Sequence, residues 1–486
     1  MIARRNKWPG VIALGSILFL CLTMRPASAG EVEDRIRALE EVQRANAAEL
    51  EKLKGEQIEL KREATEAAAS LPTFSFRPGS GVSIVAADKS WELRFRSRFH
   101  YRLLTWPDDQ ALDQAGFSQF DLALRRVRQR INSYWEDRFY ELDIEFDFGP
   151  DRGIQVQHGE LHFHFDRLNP YLPDLAFGPR VSAFFNRHDT NWGSSSGGVF
   201  DRSMFQDGAG IGAGSQNNAI GLFWSGVPVG PGDLLFQAIY SNQGLTNLAD
   251  QERPNSDKRA AHVAFNWEPF SKMKNKWLEG IDLGVGYQLD RIHPGEDGRS
   301  FFRVRTTERQ RLRLIEVARD LDAESPRHYI TPGFGWKVGP YWLRTALGWN
   351  RGDFDSFGGV GDVKGFMWRI ANELFIWSPK GLLTGSTNTP GSVMIFTGFE
   401  RSDYEADRNG LRACSSVVIG ANCERAFAHN FNVGAWYFIR RALSVGLEYG
   451  RYHVNKIGRG AGDLKNVDSG DSVNFNTLEF GIHFDF

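Results

Sequence analysis

The sequence predicts an all-β fold: a 16-stranded antiparallel transmembrane β-barrel preceded by a short periplasmic α-helical coiled coil. Three observations carry that prediction. From residue 91 to residue 486, short segments of alternating apolar and polar residues recur with turn residues between them. The connections between segments alternate, for the most part, between short and long, as they do in barrels with tight inner turns and extended outer loops. The first and last segments each carry one apolar face and one polar face rich in charge, and the last ends on Phe486. No apolar run after residue 30 approaches the length of a membrane-spanning helix. That excludes a helical membrane bundle but not a barrel, whose strands show only alternation.

Residues 1–29 read as a signal peptide. Arg4, Arg5 and Lys7 form the charged start, Val11 to Leu22 the apolar core, and Ala27-Ser28-Ala29 the small-residue cleavage site. The core is too short for a retained anchor. Its removal leaves two cysteines, Cys414 and Cys423, and in an exported chain such a pair is expected to close a small loop as a disulfide.

Residues 30–69 change period. Val32, Ile36, Leu39, Leu50, Leu53 and Leu60 fall on alternating three- and four-residue spacings, with Gln43, Asn46 and Gln57 completing the seam and Ala64 and Ala67 extending it. The remaining positions are rich in Glu, Lys and Arg. This is the pattern of a coiled coil, in which polar core positions cost stability but fix register and strand number. A single solvated helix is the alternative; it leaves the apolar stripe bare. Residues 70–90, with Pro72, Pro78, Gly79 and Gly81 and no period, are expected to be a linker, and 91–486 the barrel.

The barrel begins at Trp91–Thr105. Trp91, Leu93, Phe95, Phe99, Tyr101 and Leu103 fall on one face, and Arg94, Arg96, Arg98, His100 and Arg102 on the other. The expected strands are 91–105, 118–133, 137–148, 154–166, 174–188, 217–227, 232–242, 257–271, 277–290, 326–338, 341–352, 363–377, 391–403, 426–439, 442–455 and 472–486. In the last, Leu478, Phe480, Ile482, Phe484 and Phe486 form the apolar face, which suits an aromatic girdle at a lipid interface.

Composition narrows the function. Lys and Arg nearly balance Asp and Glu, at a formal net charge of -2, so bulk charge gives no reason to expect a nucleic-acid partner. There is no Gly-x-Ser-x-Gly elbow, phosphate-binding Gly-Lys-Ser/Thr loop or zinc-protease helix motif, so no enzyme activity and no cofactor are expected. His162 and His164 share a strand face with Glu160 and Asp166, a spacing able to hold a metal; polar lining of a lumen is the commoner reading, and no metal is expected.

Leu124-Arg125-Arg126-Val127-Arg128, then Tyr140-Glu-Leu-Asp-Ile-Glu-Phe-Asp-Phe148, then Arg180-Val-Ser-Ala-Phe-Phe-Asn-Arg187 and Phe200-Asp-Arg202-Ser203 resemble the phosphate-selective porin O and P family, most clearly over residues 91–210. The resemblance implies a trimer of sixteen-stranded barrels with an anion-selective constriction formed by an inserted outer loop. It implies that Arg125 and Arg126 face that loop, that Ser194, Ser195 and Ser196 on the loop donate hydroxyls, and that Arg187 and Arg202 flank it. Family members carry Lys and a Pro-Phe-Gly turn where this chain has Asn186-Arg187-His188-Asp189-Thr190-Asn191-Trp192-Gly193. The anion-trapping outer loop, lysine-rich in the family, is arginine-rich here, with Arg299, Arg303, Arg305, Arg309, Arg311 and Arg313.

Arginine suits an anion path because its planar fork matches phosphate oxygens and its charge persists at all relevant pH. Arg94, Arg96, Arg98 and Arg102 are expected to set an anion-attracting wall, with Glu479 and Asp485 on the closing strand able to take some of it. Arg126, Arg128 and Arg130 are expected opposite Glu145, Asp143 and Glu141; for Arg128 and Arg130 this reads as structural neutralisation, while for Arg126, as for Arg125, neutralisation and an anion-facing role both stand. The function this predicts is passive, anion-selective diffusion across a bacterial outer membrane, of phosphate or polyphosphate, through an arginine-lined channel of a homotrimer. The alternative is an envelope tether, in which the coiled coil in the periplasm links the barrel to peptidoglycan. A barrel lipase, which needs a Ser-His pair at the lipid boundary, is a distant third.

Overall fold

Alternation of side chains decides this architecture more than propensity does. In the computed structural model, strand after strand buries its polar side chains and exposes its apolar ones. Residues 29–105, 120–149, 153–182, 215–243, 260–292, 302–305, 313–317, 325–352, 363–381, 389–406, 425–455 and 472–486 are described. They open with a helix, α1 (Ala29–Ser70), and two short strands, β1 (Thr73–Arg77) and β2 (Gly81–Val85). The barrel strands β3 (Trp91–Thr105), β4 (Phe120–Trp135), β5 (Tyr140–Gly149), β6 (Gly153–Phe163), β7 (Asp174–Ser182), β8 (Ser215–Val229), β9 (Gly232–Gln243), β10 (Ala260–Glu268) and β11 (Ile281–Ile292) follow. Two short strands, β12 (Phe302–Arg305) and β13 (Arg313–Val317), pair with each other. The wall resumes with β14 (Ser325–Val338), β15 (Tyr341–Gly352), β16 (Val363–Trp377), β17 (Ser392–Ala406), β18 (Arg425–Arg440), β19 (Leu443–Val454) and β20 (Val473–Asp485).

Each barrel strand pairs antiparallel with the next, and β20 returns to β3, so sixteen strands close a cylinder. All sixteen coincide with the strands expected from the sequence, with ends shifted by a few residues. Closure removes the free edge that an open sheet of this size would present. On β10, Ala260, His262, Ala264 and Asn266 are buried while Ala261, Val263 and Phe265 are exposed. Over the wall, Gln237, Asn266, Gln288 and Asn430 are 0% exposed, whereas Leu122 is 69%, Ile220 50% and Leu447 50% exposed. A soluble core has the reverse arrangement; a polar interior with an apolar outer band is that of a barrel built for lipid.

The connections fall into two sets. Residues 230–231, 339–340 and 441–442 are two-residue turns on one rim. In the first two, Gly230 (φ 58) and Gly339 (φ 55) stand before a proline, the pattern of a hairpin turn that needs positive φ at its first central position. The connections on the other rim are mostly long. Most of their residues, 183–214 and 407–424 included, lie outside the described residues, as does the signal segment apart from Ala29.

The stretch 70–90, expected as a linker, carries the β1–β2 hairpin. Arg77-Pro78-Gly79-Ser80 makes its turn, with Pro at the second position, Gly79 at φ 76, and Ser80 N–H donating to Arg77 O at 2.9 Å. Strand β2 then pairs with β3, Val82 opposite Phe95 through Val85 opposite Glu92. Strand β20 pairs with the same edge of β3 further along, from Asp485 opposite Arg98 to Leu478 opposite Thr105. The hairpin is too short to show the period that marks a strand in sequence, and its turn residues read as linker.

Candidate functional site

The inner face of β3 and β4 holds the largest cluster of like charge among the described residues. Two features of the chain place it there. Even-numbered positions of β3 face inward, so Arg94, Arg96, Arg98, His100 and Arg102 form one column. On β4 a bulge changes the phase: Arg126 lies opposite His100 but Leu124 opposite Tyr101, which leaves Arg125 as the extra residue. The bulge keeps polar positions on β4 inward on both sides of it.

The register then sets arginine against arginine. Arg96 is directly opposite Arg130, and Arg98 directly opposite Arg128. Like charges at opposed positions destabilise a sheet, so this pattern needs compensation. It comes from the next strand. Arg128 reaches Glu145 at 2.8 Å and Asp147 at 3.1 Å, and Arg130 grips Asp143 through both Nε and Nη2. Two of these carboxylates sit deeper than the guanidiniums they hold: Asp143 is 3% exposed against 33% for Arg130, and Glu145 8% against 14% for Arg128, while Asp147, at 18%, does not. The cations face the open side and the anions form their footing. The residues opposite Arg128 and Arg130 differ from those expected because the β4–β5 turn falls later, at 136–139 rather than 134–136: β4 runs on to Trp135 and β5 starts at Tyr140, which moves the residue opposite Arg128 four positions along, from Asp143 to Asp147.

Of the first-strand row, Arg94 pairs with Glu92 at 2.7 Å, Arg98 with Asp485 at 3.1 Å and Arg102 with Glu479 at 2.7 Å. The last two are the closing-strand contacts that the sequence allowed. Arg96 differs. Its Nη2 donates to the neutral Asn132 Oδ1 at 2.6 Å, and its Nε is buried without a hydrogen-bond partner. Arg96, Arg98, Arg128 and Arg130 line a cavity of about 100 Å³ together with Gly79, Glu145, Asp485 and Phe486. Four guanidiniums and two side-chain carboxylates thus share one small cavity beside the hairpin turn and the last residue of β20's edge, where Phe486 N–H donates to Ser97 O at 2.8 Å.

The backbones of Arg125 and Arg126 are placed by the bulge, but their side chains are outside the described part. Arg187, Ser194, Ser195, Ser196, Arg202, Cys414 and Cys423 lie outside the described residues, as do Arg299, Arg309 and Arg311. Arg303 and Arg305 fall on β12 and Arg313 on β13.

Sequence reasoning missed a second set of inner arginines. Arg327, Arg344 and Arg369 are the largest fully buried side chains, on β14, β15 and β16. Arg344 lies 3.4 Å from Glu373 and over the Trp342 ring, and Arg369 is directly opposite Glu400. Each falls on the inward phase of a correctly placed strand, so the phase alone would have found them. Arg344 and Arg369 stand beside carboxylates and Arg327 stacks on the Tyr329 ring, whereas the β3–β4 arginines oppose one another.

No family model and no curated protein sequence matches this chain. Solved structures do. OmpT with loop L8 deleted, an outer membrane protein of Vibrio cholerae, superposes with a TM-score of 0.52 at 12% identity, covering 82% of this chain and 100% of that one. In-vitro folded OmpT of Vibrio cholerae in its trimer form gives 0.50 at 10% identity, covering 82% and 100%. An anion-selective porin from Comamonas acidovorans gives 0.49 at 12% identity, covering 82% and 100%. At these identities the likeness is one of fold.

Proposed function

We propose that this protein is an outer-membrane porin that passes small anions, phosphate or polyphosphate among them, by passive diffusion through the barrel. One observation carries the reading: two arginine pairs directly opposed across β3 and β4, with guanidiniums standing out from the carboxylates that anchor them. Local rules are broken in this way where a site does something other than stabilise the fold. A desolvated anion entering the cavity would meet Arg96, whose hydrogen bond goes to the neutral amide of Asn132. Coulomb attraction is stronger in a narrow low-dielectric throat than in water. The pairings on Arg98, Arg128 and Arg130 keep binding weak enough for release, as conduction requires. A barrel of this strand number leaves an aqueous lumen unless loops fill it, and we place the family-implied constriction, with Ser194, Ser195, Ser196, Arg187 and Arg202, on the 183–214 connection.

Assembly as a homotrimer fits the exposed apolar residues of α1, where Val32, Ile36, Leu39, Leu50, Leu53 and Leu60 all face solvent in the single chain. The same 42-residue helix, roughly 63 Å long at 1.5 Å per residue, favours a second reading, a periplasmic tether to peptidoglycan. Deletion of 31–69 separates the two: the tether predicts a loosened envelope with unchanged conductance.

The test is reversal potential in planar bilayers under a chloride gradient, followed by phosphate addition. Anion preference that falls in Arg96→Ala supports the reading, and block of chloride current by phosphate supports phosphate as cargo. A non-conducting or cation-preferring protein overturns it.

A further inference from the structure

A second constellation lies away from the arginine cavity, where β6 ends and β7 begins. His164 follows β6, Asp166 sits in the short 3-10 turn Phe165–Arg167, and Asp174 is the first residue of β7. One ligand atom from each lies within 4.8 Å of the others. The group is built, not incidental. His164 N–H donates to Phe139 O at 2.8 Å, which ties the turn to the β4–β5 loop. Asp166 N–H donates to Asp174 Oδ1 at 2.9 Å, which aims the other oxygen, Oδ2, at His164 Nδ1, 3.1 Å away. Phe165 packs edge-on against Phe139, with ring centroids 5.5 Å apart, and backs the turn.

The charge does not balance. Glu141, Asp166 and Asp174 surround a single imidazole, whose Nε2 lies 3.3 Å from Glu141 Oε2. Neighbouring cations are directed elsewhere: His162 pairs with Glu160 at 3.0 Å, and Arg167 donates to Asp137 O. Asp166 Oδ1 is buried with no hydrogen-bond partner. A buried carboxylate oxygen without a donor, facing a second carboxylate and a ring nitrogen, lacks a cation.

We infer that His164, Asp166 and Asp174 form a binding site for a divalent cation of the zinc class, with Glu141 as the positioning residue for the imidazole. Mixed nitrogen and oxygen donors select this class over the hard oxygen-only cations. A tetrahedral zinc ion with bonds near 2.0–2.1 Å sets its ligands about 3.3 Å apart, close to the 3.1 Å between His164 Nδ1 and Asp174 Oδ2. Coordination through Nδ1 leaves Nε2–H to donate to Glu141, the carboxylate–histidine–metal relay that fixes ring and tautomer. The fourth position is open to water. The sequence offered Glu160, His162, His164 and Asp166 as a spacing able to hold a metal, with polar lining expected instead; the first two pair with each other, and Asp174, from the next strand, was not among them.

The experiment is calorimetric titration of the full chain, folded in detergent and stripped with chelator, with zinc chloride. One zinc per chain is expected, with an X-ray absorption shell of nitrogen and oxygen that includes one imidazole. Asp166→Asn and His164→Gln should each weaken binding by more than about tenfold, and Glu141→Gln by about tenfold. Folding of every variant is verified by its heat-modifiable migration. His453→Gln, in a separate histidine pair (His429 and His453, centroids 4.8 Å apart), should leave binding unchanged. Absence of binding, undiminished binding in folded Asp166→Asn and His164→Gln, or calcium binding as tightly as zinc would each overturn the assignment.

Discussion

Strands β3 and β20 close the barrel with two ion pairs of the same chemistry and opposite surroundings. Arg102 and Glu479 are 3% and 6% exposed, whereas Arg98 and Asp485 are 32% and 40% exposed. Neutralising one acid of each pair should therefore give unequal results. Unit charges about 4 Å apart attract by about 4 kcal/mol at an effective dielectric of 20. Glu479→Gln leaves the Arg102 charge buried beside an amide, and breaking a buried pair on one side costs about 3–5 kcal/mol. Asp485→Asn removes an exposed partner and should cost about 1 kcal/mol or less. The gap of at least about 2 kcal/mol corresponds to roughly 30-fold in the folding equilibrium. Urea unfolding of the refolded barrel in lipid vesicles, followed by tryptophan fluorescence, reads both. The double variant Arg102→Met/Glu479→Leu should recover most of the loss, since apolar replacement of a whole buried pair is often neutral. Equal small effects of the two single variants, or a double variant no better than Glu479→Gln, would refute the argument that burial sets the worth of these pairs.

Leu447→Arg, on the outer face of β19, should cost about 2–4 kcal/mol in lipid, the depth-dependent value for a cation at mid-bilayer, whereas an exposed change in water costs within about 0.5 kcal/mol; a small cost in vesicles would mean that this face does not meet lipid. Gly81→Ala should detach the β1–β2 hairpin from β3, because Gly81 holds φ +85 and a Cβ there would stand 1.9 Å from Phe95 O; hydrogen exchange at 81–85 should rise, and unchanged protection would count against it. His164, held up to about 9 by its hydrogen bonds to Asp174 and Glu141, is stabilising when protonated. With chelator present, that contribution is complete below its ordinary value of 6.5 and is lost as pH rises through about 9, with a ceiling of roughly 3 kcal/mol. His164→Gln should flatten the alkaline fall in stability between pH 7 and 10.

The strands were legible because a barrel wall writes itself as period-two alternation, and each of the sixteen expected segments became a strand. The site was legible in part. The inward column of Arg94, Arg96, Arg98 and Arg102 followed from alternation alone. Their partners needed register, which depends on where the turn falls: with the turn at 136–139 instead of 134–136, Arg128 and Arg130 met new carboxylates. The opposition of Arg96 to Arg130 was hidden because the β3–β4 register is set across the long 106–119 connection and through the bulge at Arg125, and an inserted residue leaves no mark in composition. The β1–β2 hairpin escaped because five-residue strands around Pro78 and Gly79 carry too little pattern. Asp174 escaped because its neighbours in the metal cluster lie eight and ten positions away, across a turn.

The edge of β3 carries a further consequence. It is occupied from one side by the end of the chain, with Phe486 hydrogen-bonded at Ser97, and from the other by the hairpin that precedes the barrel, with Val82 opposite Phe95. The last strand therefore has an end stop. If β20 slid along β3 by one side-chain repeat toward the hairpin, its final residue would run into the space that Gly81 already shares with Phe95 O. Sliding changes the shear of a barrel, and with it strand tilt and diameter. The hairpin thus works as a gauge block at the seam: thirteen residues, 73–85, limit the stagger from which the circumference of the cylinder follows.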